Sequence, residues 1–144
     1  MTMKDNGHYA RKHPPEMRPG DEILKMLGEA CPEGWISCAQ AFRKASALGI
    51  SPREVGIAAD FLEIRIRRCQ LGLFGYSPEK SVVSPAEQVP PDLESAIRGA
   101  LVEGRLPCAS AWAIARKLGM AKMAVSAACE KLGIKISACQ LGAF

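Results

Sequence analysis

The side chains of this sequence that are best suited to chemistry are basic residues and cysteines. The chain of 144 residues carries 19 Lys and Arg against 15 Asp and Glu, together with six Cys. Basic side chains neutralise phosphates, and cysteine thiolates bind metals or react with oxidants. The sequence has no phosphate loop, dinucleotide-binding motif, zinc-protease motif or nucleophile elbow. We therefore expect a protein that is not an enzyme and has no cofactor.

Two pairs of cysteines recur at the same spacing: Cys38 and Cys69, then Cys108 and Cys139. Zinc sites in small domains usually take two ligands from one tight turn, whereas the members of each pair are 31 residues apart. We therefore expect reduced, buried thiols that pack as small apolar side chains and bind no metal. Cys31 and Cys129 have no counterpart and are interpreted in the same way. A metal- or redox-responsive regulator built on the four recurring thiols is retained as an alternative.

The recurring cysteines belong to a duplication within the chain. Residues 33–74 and 103–144 align at a constant offset of 70 without a gap, and both end in C-Q-L-G-x-F. This shared ending is expected to close the bottom of each core, and the alternative is a docking edge or a ligand-binding lip. Residues 76–91, between the copies, contain four prolines and predict an exposed, semi-stiff linker.

Each copy is preceded by a further amphipathic stretch that opens with an Asp able to cap a helix, Asp21 in one case and Asp92 in the other. Each unit is therefore expected to begin with its own helix. The resulting division is a flexible basic tail (1–20), a first unit (21–75), the linker (76–91) and a second unit (92–144). His8 and His13 lie in the tail and are expected to be disordered and to bind no metal.

Within the first copy, residues 37–48 place apolar side chains at the spacing of a one-sided helix, which Gly49 ends. Ser51 and Glu54 then predict a capping box at the start of a second helix, with Pro52 in its first position. The predicted inward face of that helix is Val55, Ala58, Ala59 and Leu62, and the outward face is Arg53, Gly56, Ile57 and Asp60. In the second copy the inward set is Val125, Ala128, Cys129 and Leu132, and the outward set is Lys122, Met123, Ser126 and Ala127.

Both copies carry the pattern A-x-x-x-G-x-x-x-x-x-V: Ala45, Gly49 and Val55, then Ala115, Gly119 and Val125. In this pattern the chain resembles the helix-turn-helix superfamily, in which a small residue lets two helices cross closely and a Gly permits the turn between them. The resemblance covers roughly two thirds of the chain. It implies a mostly α fold of two tandem three-helix helix-turn-helix units, and it makes DNA the expected partner.

Segments 64–67 and 134–137 alternate apolar and polar residues, which is typical of a short strand with one buried face. A small β-ribbon or wing in each unit is therefore an open alternative. In the first copy Glu63 stands where the second copy has the helix-ending Gly133, so a helix that runs on through Arg65 is the alternative to a strand there.

The candidate DNA contacts lie on the second helix of each unit and in the segment that follows it: Arg53, Arg65, Arg67, Arg68, Lys122, Ser126, Lys131 and Lys135. Arg43 and Lys44 add charge on the preceding helix. Residues 91–144 have a net charge of +3, whereas residues 21–75 are neutral, so the second unit is expected to contribute more to phosphate binding. Ordinary solvated surface charge is the competing interpretation.

These observations predict a cytoplasmic DNA-binding protein that regulates transcription, with a homodimer or a protein partner as further options. No apolar stretch approaches the roughly 18 residues of a membrane span, so no membrane association is expected. The alternative function is a protein-interaction module that uses the apolar residues on the outward helix faces, namely Ile57, Met123 and Ala127.

Overall fold

A computed structural model describes residues 13–76 and 81–143 of the chain, and this part is mostly α-helical, as predicted. Its elements from the first repeat are a short 3-10 turn (Pro15–Met17), α1 (Asp21–Ala30), β1 (Trp35–Ser37), α2 (Cys38–Leu48), α3 (Pro52–Phe61) and β2 (Arg65–Arg67). Those from the second are α4 (Pro91–Gly99), β3 (Leu106–Pro107), α5 (Cys108–Leu118), α6 (Lys122–Leu132) and β4 (Ile136–Ser137). None of the helices within these residues is long and apolar enough to cross a bilayer.

The turn between the second and third helix of each repeat follows the prediction. Gly49 and Gly119 end α2 and α5 in the left-handed conformation, with φ of 68° and 66°. The predicted capping box is present at α3, where the Glu54 backbone N–H donates to Ser51 Oγ at 3.1 Å. The N-cap of the equivalent helix α6 is Ala121, whose methyl side chain cannot accept a capping hydrogen bond. The same turn is therefore built with a side-chain cap in one repeat and without one in the other.

The first helix of each repeat begins differently from the prediction. The N-cap of α1 is Gly20 and that of α4 is Pro90, so neither Asp21 nor Asp92 is a cap. Both carboxylates instead lie in the first turn, where they interact favourably with the positive end of the helix dipole.

The strands pair in a way that excludes a hairpin wing. β1 and β2 are parallel, with Ile36 opposite Ile66, and β3 and β4 are parallel, with Leu106 opposite Ile136. Parallel strands need a crossover between them. The crossover consists of α2 and α3 in the first repeat and of α5 and α6 in the second. The two-stranded sheet thus ties the start of the second helix of a repeat to the end of its third.

The strand predicted over 64–67 is confirmed as β2, and the alternative in which α3 runs on through Arg65 is wrong, because α3 ends at Phe61. Glu63 adopts φ of 57°, close to the 71° of Gly133. The backbone N–H of Ile64 then donates to the Ala59 carbonyl oxygen at 2.8 Å, as that of Ile134 does to the Cys129 carbonyl oxygen at 2.9 Å. A non-glycine residue in this conformation costs on the order of 1 kcal/mol.

The described residues form two compact units whose boundaries differ from those of the repeats. Unit 1 comprises residues 13–69 and 140–143, and unit 2 comprises residues 70–76 and 81–139. The C-Q-L-G ending of each copy, from its Gln onward, therefore belongs to the unit built on the other copy. The end of the predicted linker also belongs to unit 2, where the Ala86 N–H donates to the Ala127 carbonyl oxygen of α6 at 2.9 Å.

Each unit has a small apolar core between its helices and its strand pair. In unit 1 the most buried side chains include Leu27 of α1, Ala41 of α2 and Val55 of α3. In unit 2 the equivalent positions are Ile97, Ala111 and Val125, which are also fully buried. The predicted inward faces of α3 and α6 are therefore confirmed, apart from the half-buried Leu62 and Leu132.

Candidate nucleic-acid interface

Arg53 lies in the first turn of α3, where the sequence fixes the start of the helix. Ser51 caps the helix and Pro52 occupies its first position, so the backbone that carries Arg53 is well defined. The Arg53 side chain is exposed, as predicted. Its neighbour Glu54 accepts a hydrogen bond from the Ser51 backbone N–H at 3.4 Å. Arg53 therefore presents a guanidinium to solvent at the end of a helix, a position from which base edges and phosphates are contacted in DNA-binding helices.

The strand β2 presents a second basic group beside an aromatic ring. Arg65 and Arg67 are two residues apart and share one face of the strand, while Ile66 is buried on the other. The Arg67 guanidinium lies 5.2 Å from the centroid of the Trp35 ring, which belongs to the paired strand β1. Arg68 follows with φ of 53° and an exposed side chain. A planar guanidinium held on an aromatic face is pre-organised for phosphates and for stacking on bases.

The basic residues of unit 2 are more dispersed. Lys122 is half-buried, with its Nζ 4.5 Å from the centroid of the Trp112 ring, so part of its charge is used within the unit. Lys131 lies in the last turn of α6 and Lys135 precedes β4, and both are exposed. The predicted candidates of unit 2 are therefore single lysines without the arginine and tryptophan pairing of unit 1.

The predicted outward face of α3 is covered, which corrects the sequence interpretation. Gly56, Ile57 and Asp60 are all buried. A Cβ atom at Gly56 would overlap the backbone carbonyl of Leu141, so residues 140–143 run directly across the helix. The reason that the periodicity failed here is that a distant segment of the same chain buries the face that appeared free.

Residue His13 covers the same face of α3 near its end. Its Nε2 lies 2.7 Å from Asp60 Oδ2, and its ring stacks on Phe61 with 5.8 Å between centroids. The expectation that His13 belongs to a disordered tail is therefore wrong, while His8 lies outside the described residues. This contact gives the buried carboxylate of Asp60 the hydrogen-bond partner that an ionisable group needs in the interior.

Ser126 of α6 is not available for DNA, contrary to the prediction. It is 1% exposed, and its Oγ has no hydrogen-bond partner among the described residues. The neighbouring Ala127 is half-buried beside the chain that leads into α4. The middle of α6, like the middle of α3, therefore cannot enter a major groove without displacing the segment that covers it.

The cysteines lie mostly in the interior, as predicted. All six are free thiols, and all except the half-buried Cys139 are buried. Burial raises the pKa of the Cys31 thiol, and burial together with the neighbouring Glu130 raises that of Cys129 to about 11. Residues 13–76 and 81–143 contain no group of three or more His, Cys, Asp or Glu side chains placed to hold a metal ion.

Comparisons with models of protein families, with characterised proteins and with solved structures found no match to this chain.

Proposed function

We propose that the protein is a DNA-binding regulator of transcription that contacts duplex phosphates through basic side chains beside its third helices. In unit 1 these are Arg53, Arg65, Arg67 and Arg68, and in unit 2 they are Lys131 and Lys135. Lys122 is a weaker candidate because its side chain is half-buried, whereas that of Arg67 is exposed. The proposal places the protein in the cytoplasm and assigns it no enzymatic activity.

The observation that carries this proposal is the arginine cluster on β2. Arg67 lies over the Trp35 ring, with Arg65 on the same face of the strand and Arg68 next in the chain. Phosphate contacts supply most of the affinity of such proteins, whereas base contacts supply specificity. Since the middle of α3 is covered, base contacts are left to its first turn, where the Arg53 guanidinium has the geometry to pair with guanine. We therefore expect binding with weak sequence preference.

The test is fluorescence anisotropy of a labelled random-sequence duplex as salt rises from about 50 to about 200 mM, the range over which counterion release weakens phosphate contacts. The combined variant Arg67→Ala, Arg68→Ala should weaken binding and flatten the salt dependence by roughly one unit per lost contact. Arg116→Ala, Lys117→Ala is the matched control, because it also removes two exposed cations, which lie on α5. Absence of binding by the wild-type protein at the lowest salt, or an equal effect of the control, would contradict the proposal.

A second candidate function, a protein-interaction module, is favoured by one apolar patch in unit 2. Met123 and Val82 are 38% and 48% exposed, and a Cβ on Gly72 would lie 3.3 Å from each of their side chains. Of the other apolar residues first considered for this role, Ile57 is buried and Ala127 is half-buried. If the patch joins two copies of the chain, sedimentation should detect a dimer that Met123→Glu dissociates. A monomer at all concentrations would remove the homodimer from consideration.

A further inference from the structure

Unit 1 contains a cavity of about 340 Å³ that is partly open to solvent. Its apolar walls are Ala30 at the end of α1, Ile36 of β1 and Ala47 of α2. Its polar lining consists of Gln40, Arg43 and Lys44, all on α2. This combination of apolar walls and a few polar groups, at the lower end of the usual volume range, is typical of a site for a small molecule.

The polar lining of the cavity consists of hydrogen-bond donors. Arg43 and Lys44 are exposed, and within residues 13–76 and 81–143 neither side chain forms an ion pair or hydrogen bond with another residue. The Gln40 side-chain oxygen accepts from the Ser37 N–H and hydroxyl, each at 3.2 Å, which leaves its amide nitrogen as a donor. Two cations and an amide N–H favour an anionic ligand.

The duplication supplies an internal comparison for these cations. At the positions equivalent to Arg43 and Lys44, unit 2 has Ala113 and Ile114, and Ile114 is buried. Two of the three apolar walls are retained, since Ile36 corresponds to Leu106 and Ala30 to Ala100, whereas Ala47 corresponds to Lys117. The fold of a unit therefore does not require the two cations, which are either ordinary surface charge or serve another role.

One such role within the protein is electrostatic. Lys44 is close enough to the thiol of Cys31, the C-cap of α1, to oppose in part the rise in its pKa that burial causes. A cation near the C-terminal end of a helix also interacts favourably with the helix dipole. This role needs only one cation and no cavity, so it leaves Arg43 and the apolar walls unexplained.

We propose that this cavity binds a small amphipathic anion, whose carboxylate or phosphate lies between Arg43 and Lys44 and whose short apolar part packs against Ala30, Ile36 and Ala47. The site belongs to unit 1 alone. It is independent of the proposed DNA contacts, because neither cation lies on α3 or β2.

Isothermal titration calorimetry on the reduced full-length protein, without DNA, tests the site with hexanoate and phenyl phosphate as probes and inorganic phosphate as the reference. We expect phenyl phosphate to bind at least tenfold more tightly than inorganic phosphate, because only the former has a group for the apolar walls. The relative affinity of hexanoate shows whether a carboxylate or a phosphate is preferred.

The combined variant Arg43→Ala, Lys44→Ile gives unit 1 the residues that unit 2 has at these two positions. It should weaken the binding of phenyl phosphate at least tenfold. Its matched control is Arg116→Ala, Lys117→Ile, which removes an adjacent pair of exposed cations from α5 and should leave binding unchanged. Ala47→Leu is a second variant that narrows the cavity while keeping both cations, and it should also weaken binding. Circular dichroism checks that each variant is folded.

The proposal is overturned if the wild-type protein binds neither amphipathic probe, or if inorganic phosphate binds as tightly as phenyl phosphate. Equal losses in the α5 control would also overturn it, because binding would then follow overall charge. If Lys44 serves only the α1 terminus, the α2 variant will lower thermal stability while the wild-type protein binds no probe. These outcomes can be interpreted even if the protein does not bind duplex DNA, because none of the experiments uses DNA.

Discussion

Position 56 of unit 1 is glycine, and the equivalent residue of unit 2 is Ser126, yet both are buried on the third helix of their repeat. In unit 1 the backbone of Leu141 approaches so closely that a Cβ has no room. In unit 2 there is room for a Cβ and a hydroxyl, although that hydroxyl has no hydrogen-bond partner among the described residues. The third helix of unit 1 therefore has no room for a side chain at this position, whereas that of unit 2 accommodates one.

The largest expected effect on this comparison comes from Gly56→Ala. The added methyl group meets a backbone carbonyl that cannot rotate away, so we expect a loss of about 2–3 kcal/mol in the free energy of unfolding, in the range of overpacked cores. Ser126→Ala removes the unpaired buried hydroxyl and should be neutral or stabilising by up to about 1 kcal/mol. Urea unfolding measures both. Equal destabilisation by the two variants would contradict the difference in packing.

A smaller effect is expected at the helix starts, where the repeats differ again. Ser51→Ala removes the capping hydroxyl of α3 and should cost about 1 kcal/mol. Ala121→Ser introduces the missing cap at α6 and should stabilise the protein, by less because no Glu follows at position 124 to complete the box. The comparison fails if thermal unfolding moves in the same direction for both variants.

The smallest expected effect concerns alkaline pH and Cys129, which corresponds to Ala59 in unit 1. Burial raises the pKa of this thiol from its ordinary value of 9.0 to about 11, so the folded state holds the proton more firmly than the unfolded state. Its contribution to stability is therefore intact below pH 9 and is lost as the pH rises toward 11. Cys129→Ala should reduce the fall in stability over this window, whereas replacement of the half-buried Cys139 by Ala serves as the control. An unchanged pH profile in Cys129→Ala would show that the thiol is not responsible.

The repeat, the turn glycines and the capping box could be predicted because each has a local signature. The partner of β2 could not be predicted, since β1 has only three residues and lies before α2. The end of α3 could not be predicted, because a glycine is the usual residue in the left-handed conformation and Glu63 adopts it here.

Part of the candidate site could also be predicted, namely the exposed Arg53, Arg67 and Arg68. The failures are Gly56, Ile57, Asp60 and Ser126, which helical periodicity places outside. Periodicity reports only which residues share a face, and another segment decides whether that face is solvated. The segment that covers α3 comes from about 85 residues further along the chain, so no local pattern could reveal it.

In the proposed mode of binding, DNA meets the basic residues beside the third helices while the middle of each helix stays covered. Cross-saturation from a bound duplex to the amide protons of the deuterated protein tests it directly, because saturation reaches only protons at the interface. We expect intensity losses at Arg53, Arg65, Arg67, Arg68, Lys131 and Lys135, with none at Gly56, Ile57 or Ser126. Losses centred on Gly56, Ile57 and Ser126 would contradict it and would mean that the covering segments leave the helices when DNA binds.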